Sequence, residues 1–217
     1  MPLELDLPDD FSGEVRLFPL PEVVFFPCNA LPLHIFESRY REMMEDAVKG
    51  DKLIAIATLI PGFQDDYYSR PPVFPHVCIG HASMYEQDDE GKYNLILYGI
   101  KRAIIQSEIT PVRAYRRATV KVLEDDPIKE DAAEMGAELA EALTNTFSDI
   151  DDLAASYISG KLPIGVFTDV VGYLFRFDYK FKMRLLADLD ASHRAKLLIQ
   201  ALETTDFSSP PPDFSDN

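Results

Sequence analysis

The sequence predicts an α+β protein: a mostly antiparallel, barrel-like β-sheet with one short helix, followed by an α-helical bundle. Three observations predict it. Up to Asp125-Asp126-Pro127 the apolar residues alternate or run in short blocks, and beyond that point they recur at helical spacing. The first half also lacks the repeated strand–helix–strand order that a parallel doubly wound sheet requires. The expected divisions are an N-terminal extension over 1–13, a β subdomain over 14–125, a helical subdomain over 126–203 and a disordered tail over 204–217.

Val15 to Leu17 reads as a short strand, and the prolines of Phe18-Pro19-Leu20-Pro21 confine that stretch to edges and turns. Val23 to Phe26 is an apolar run stopped by Pro27, and Leu31 to Phe36 leads into a helix. There Tyr40, Met43, Met44, Ala47 and Val48 mark one buried face, and Gly50 marks the stop. Leu53 to Ile60 is apolar at successive positions, as in a central strand covered on both faces. Pro61 to Pro75 is a long loop. Val77 to Tyr85 and Tyr93 to Tyr98 flank a polar hairpin loop ending in Gly91-Lys92, and Gly99 suits a bulge before a strand over Ala103 to Ser107. Ala118, Val120 and Val122 alternate with polar residues in a last, half-exposed strand.

In the second half, Asp126 with Pro127 suits a helix start, with Ile128, Met135, Leu139 and Leu143 along its apolar stripe. Shorter helices follow over Leu153 to Ile158, Val166 to Phe175 and Phe181 to Leu186. Asp190 caps a fifth that buries Ala195, Leu198, Ile199 and Leu202. Thr204 to Asn217 is rich in Ser, Pro and Asp, as a disordered end would be.

Acidic residues number 37 against 21 Lys and Arg, a formal charge of −16. Binding to nucleic-acid phosphates or to an anionic membrane surface needs clustered cations, so both are disfavoured. No apolar run approaches the roughly 20 residues of a membrane span. The first residues lack the basic-then-apolar pattern of a secretory signal, so the expected compartment is the cytoplasm. Cys28 and Cys78, the two cysteines, are expected as free thiols acting as small hydrophobes in strand-like stretches.

Catalytic signatures are absent: no G-x-x-x-x-G-K-[ST], no G-x-G-x-x-G after a strand, no G-x-S-x-G and no H-E-x-x-H. No catalytic, cofactor or metal residue is therefore assigned. Cys28, His34, His76, Cys78 and His81 are possible zinc ligands by type, but their spacing matches no finger or knuckle, and core thiols with hydrogen-bonded histidines is the preferred reading. The carboxylate runs at Glu124-Asp125-Asp126 and Asp149 to Asp152 suit helix starts better than acid–base chemistry.

Two groups remain as candidate sites. Phe63, Tyr67, Tyr68 and Phe74 lie among turn residues of the long loop. Either they fold back as a cover for the sheet, or they form a partly exposed aromatic surface for a polypeptide partner. Arg113, Arg116 and Arg117 form the densest basic group. They either decorate a solvent face or contact an anion.

The order of segments resembles the N-terminal, substrate-binding domain of Lon protease. The residues that carry the likeness are Leu17-Phe18-Pro19-Leu20-Pro21, Val24-Phe25-Phe26-Pro27, Leu31-Pro32-Leu33-His34-Ile35-Phe36-Glu37, and Arg39-Tyr40-Arg41 with Met44 and Asp46. Ile79-Gly80, Gly91-Lys92-Tyr93-Asn94 with Gly99 and Arg102, and Tyr115-Arg116-Arg117-Ala118-Thr119-Val120 are similar to a second signature of that family. His193-Arg194-Ala195-Lys196-Leu197-Leu198 is similar but less distinctive, and the whole likeness covers about residues 14 to 203. It implies a PUA-like β-barrel before a helical bundle. Because the sequence ends before the family's ATPase and Ser-Lys peptidase domains begin, it resembles the standalone bacterial form.

The resemblance implies a non-enzymatic module, without cofactor, that captures unfolded or extended polypeptide as an accessory to proteolysis or protein quality control, beside a separate protease or ATPase. The alternative is a PUA-like RNA or nucleotide binder. The motif residues themselves read as structural: Pro19, Pro21, Pro27 and Pro32 fix turns and edges, and Phe36 and Tyr40 are expected in the core.

Overall fold

The computed structural model describes residues 6–62, 70–110, 113–147, 151–205 and 207. Six strands come first: β1 Glu14–Leu20, β2 Ala30–Ile35, β3 Leu53–Thr58, β4 His76–Gln87, β5 Tyr93–Ile109 and β6 Arg116–Leu123. Helix α1, Ser38–Lys49, lies between β2 and β3. After the strands come α2 Ala132–Thr146, α3 Asp151–Ile158, α4 Ile164–Leu174, α5 Tyr179–Ala187 and α6 Ala191–Thr204. The chain is thus mixed α+β, and among the described residues every strand comes before Asp125.

The sheet order is β2-β5-β4-β3-β1-β6, with a further pairing between β5 and β6. Only β1 and β3 run parallel; the other pairs are antiparallel. β5 explains the shape. Its first residues, Tyr93 to Tyr98, pair with β2, and Arg102 to Ile109 pair with β6, while β4 follows it on the other side. The stretches expected as two strands around Gly99 are one strand with a register shift there: Ile79 faces Lys101, but Gly80 faces Gly99. Gly99 is required by a close approach, since a Cβ would lie 2.2 Å from the Phe26 carbonyl oxygen.

Alternation along the strands feeds two cores. Val15, Leu17, Leu53, Ala55, Val77, Ile79 and Val120 form one within the curled sheet. Phe18, Ile54, Ile56, Cys78 and Leu97 face the other way, against the helices. β3 is buried at every position because it contributes to both, as its apolar run predicts. Helix α1 buries Tyr40, Met43, Met44 and Ala47, the predicted stripe.

The two halves are joined by buried charge. Arg102 on β5 is held bidentate by Asp169 on α4, with Nη1 donating to Oδ2 at 2.8 Å, and its Nε donates to the Leu186 carbonyl at 3.2 Å. Arg194 on α6 is fully buried. It donates to both Asp125 oxygens at 3.1 and 2.7 Å and to Thr168 Oγ1 at 3.1 Å. Such a network is stable because every guanidinium nitrogen of both arginines donates to an acceptor.

That network corrects one expectation. Asp126 does not start a helix; α2 begins at Ala132, and Ile128 is 77% exposed rather than part of an apolar stripe. Asp125 is claimed by Arg194, and the Asp126 N–H donates to the Leu189 carbonyl, which holds this stretch extended against the bundle. The apolar run Val23 to Phe26 forms a loop whose Phe25 and Phe26 are buried among the helices, with the Phe25 ring 6.0 Å from that of Tyr173. Phe207, within the stretch expected to be disordered, seats its ring 5.0 Å from Phe147 and 5.7 Å from Phe177; the remaining residues after Thr205 lie outside the described ones.

Candidate functional site

β2, the first part of β5 and the last part of β4 form a three-stranded layer at one end of the sheet. Side chains alternate across it. Leu33, Ile35, Tyr85, Tyr93 and Leu95 point inward to the core shared with α1. Burial there pushes the Tyr93 hydroxyl above the ordinary tyrosine value. The other face carries Pro32, opposite Ile96 and then Met84, and His34, opposite Asn94 and then Glu86. Phe36 continues that alternation beyond the end of β2.

Nothing in the described chain covers this face. Phe36 is 60% exposed and Met84 is 53% exposed, and Pro32, His34, Ile96 and Met84 line a groove of about 500 Å3. The His34 ring is held by a 2.7 Å hydrogen bond between Nδ1 and Asn94 Oδ1, and Phe36 stacks on it at 5.9 Å between centroids. Glu86 is the one charged side chain of the groove. The surface is shaped for apolar contact.

Phe36 is therefore a correction: it was expected in the core, and the alternation set by β2 places it outside. The signal was present in Ala30-Leu31-Pro32-Leu33-His34-Ile35-Phe36, where odd positions carry Leu, Leu and Ile. Met84 and Ile96 become legible only through the β4–β5 register, because sequence alone does not say which alternate face is covered.

The free edge of β2 is guarded. Gly99 N–H donates to the Asn29 carbonyl, and counting along the antiparallel ladder from there turns the amides of Leu31, Leu33 and Ile35 toward β5. The outward groups are those of Ala30, Pro32 and His34. Pro32 has no N–H, and the Ala30 carbonyl already accepts the Tyr173 hydroxyl at 3.0 Å.

Of the predicted site residues, Phe63, Tyr67 and Tyr68 lie outside the described residues. Phe74 is half-buried against the main core, its ring 6.4 Å from Tyr179 and its N–H bonded to the Thr58 carbonyl at 2.9 Å. The three arginines are not brought together. Arg116 is buried, paired through two nitrogens with Glu108 and donating to the Pro71 carbonyl at 2.7 Å. Arg113 pairs with Asp46 at 2.7 Å and Arg117 with Glu14 at 3.6 Å, both beside Arg16 in a polar hollow. Each is answered by a carboxylate, so an incoming anion must displace one.

The possible zinc ligands are likewise dispersed. His81 Nδ1 meets Ser83 Oγ at 2.8 Å, and burial and nearby Lys52 hold its imidazole below the ordinary value. Burial pushes the Cys78 thiol well up. Cys28 is not in a strand as expected. It occupies an exposed turn with a left-handed φ of 59°, its N–H donating to the Gly99 carbonyl. Among the described residues no three His, Cys, Asp or Glu side chains are placed to hold a metal ion, and no helix is long and apolar enough to cross a membrane.

Lon proteases are among the known proteins that this chain resembles. The chain is 22% identical over 202 residues to the Lon protease of Desulfosudis oleivorans, covering 89% of this chain and 24% of that protein. It is 20% identical over 200 residues to the Lon protease of Anaeromyxobacter dehalogenans, covering 89% and 23%. The chain thus spans about a quarter of the length of these curated relatives. Among solved structures, the N-terminal domain of the Mycobacterium avium complex Lon protease superposes with a TM-score of 0.69 at 16% identity, over 89% of this chain and 100% of that one. A Lon N-terminal domain protein from Xanthomonas campestris gives 0.62 at 17% identity, over 86% and 97%. Residues 14–204 match the model of the ATP-dependent protease La (LON) substrate-binding domain, and the chain belongs to that family.

Proposed function

We propose that this chain is a non-enzymatic module that captures unfolded or extended polypeptide through the open face of β2, β5 and β4. It would do so in the cytoplasm, as an accessory to proteolysis or quality control beside a separate ATPase or protease. The observation that carries the reading is the exposure of Phe36 and Met84 on one face, Met84 beside the Pro32–Ile96 pair and Phe36 beyond the His34–Asn94 pair. A rigid, well-backed apolar surface with few charges suits segments that expose apolar side chains, and family membership supports the same role. Contact through side chains is favoured over strand addition, because Pro32 and Tyr173 blunt the β2 edge. We also read the curled sheet, with β6 paired back to β5, as the PUA-like barrel of the family.

The test is Phe36→Ser with Met84→Ser, titrated against a carboxymethylated, permanently unfolded model protein. Each apolar side chain covered by a client contributes about 2 kcal/mol, so the double change should weaken binding by more than tenfold. The melting temperature should stay unchanged, because both side chains already face water. Undiminished binding removes this face from the function. Tyr67→Ser with Tyr68→Ser is the parallel test of a second contact by Phe63, Tyr67, Tyr68 and Phe74. The RNA or nucleotide reading rests on Arg113, Arg116 and Arg117. Their carboxylate partners weigh against it.

A further inference from the structure

The helical half carries a second, differently built surface. A groove of about 630 Å3 runs between α5 and α6, floored by Phe177, Phe181, Leu197 and Ala201 and walled by Arg176 and Arg184. Both arginines are exposed. Most arginines of the described chain pair with a carboxylate, as Arg16, Arg113 and Arg117 do, but these two have no such partner among the described residues. The carboxylate that borders the groove, Asp178, has Oδ1 committed to the N–H groups of Lys180 and Phe181 at the start of α5. In a chain of net charge −16, the groove is a local reversal of sign over an apolar floor.

This part of the surface already accepts a phenylalanine from beyond the end of α6. Phe207 lies edge-on to Phe177, one of the floor residues. The sequence around it reads Asp206-Phe207-Ser208, and the same triplet recurs as Asp213-Phe214-Ser215, followed by Asp216.

We propose that the α5–α6 groove is a docking site for an acidic segment of a partner polypeptide, one that carries a phenylalanine between carboxylates. The aromatic ring enters between Phe181 and Leu197, and the flanking carboxylates pair with Arg176 and Arg184, which lose little by desolvation at an open rim. This site is separate from the open sheet face and independent of its role.

The probe is a labelled free peptide, Pro-Pro-Asp-Phe-Ser-Asp-Asn, followed by fluorescence anisotropy with the full chain. Saturable binding is expected with half-saturation below about 1 mM, weakening as salt rises. It should fall about tenfold or more with Arg176→Glu plus Arg184→Glu, or with alanine for the peptide's phenylalanine, and should largely survive Arg176→Lys plus Arg184→Lys. Melting curves verify that the charge-reversed variant is folded. Phe36→Ser with Met84→Ser should leave this binding unchanged, which separates its failure from failure of the sheet-face reading. No saturation, or equal binding by the folded charge-reversed variant, overturns the proposal. Binding that appears only after residues 208–217 are removed also overturns it, by making this chain's own tail the occupant.

Discussion

At the scale of single residues, the decisive side chains are the buried charges Arg102, Asp169 and Arg194, with Asp125 meeting them from the solvent side. Removing one partner of a buried pair strands the other in a medium that cannot solvate it. Asp169→Ala should therefore cost about 3–5 kcal/mol in urea unfolding, while removing an exposed pair such as Lys92 with Glu90 should change the midpoint little. A midpoint barely moved by Asp169→Ala would show that water reaches the site. These residues were not legible in advance. Arg102 and Asp169 are 67 positions apart and Arg194 and Asp125 are 69 apart, and an arginine in sequence reads as surface. Gly99 was legible, because a glycine within a strand pattern signals a bend or a close approach, and the Phe26 carbonyl supplies the approach. Phe36 lay between these cases: its alternation was visible, but not the direction in which its strand faced.

Among the elements, local chemistry placed those helices whose caps stay local. Asp190 accepts from the N–H groups of Ser192 and His193 and starts α6 where expected. The α2 start moved because a distant arginine took the neighbouring carboxylate. Lys182 on α5 illustrates the same competition in energetic form. Its Nζ donates to the Tyr173 carbonyl at the end of α4, and burial lowers its pKa to about 8. In the unfolded chain it titrates near 10.4, so between those values the unfolded state binds more protons and this group adds stability as pH rises. Cys78 acts in the opposite sense. Its thiol is raised in the fold, so it withdraws stability as pH climbs past the ordinary thiol value of about 8.5. The informative measurement is therefore a difference: the stability of the parent relative to Lys182→Met should rise steadily from about pH 8 to pH 10. A flat difference means that Lys182 is solvated in the fold.

For the whole molecule, β5 is the organising strand, touching β2, β4 and β6 in turn, while β3 feeds both cores. With Arg102 and Arg194 fastening sheet to helices, the two halves share their buried groups, and calorimetry should record a single transition with matching calorimetric and van't Hoff enthalpies. Two separated transitions would mean that the charge network does not couple them. The α+β division and most elements could be read from periodicity, because burial on one face imposes it. The open face could not, since periodicity marks two faces and only packing decides which one is left bare. Pro32 and the Tyr173 hydroxyl give that bare face a tolerable setting. A greasy patch beside a sticky strand margin would invite sibling copies to zip into fibres, whereas a margin short of donors gives a neighbouring strand little to zip onto.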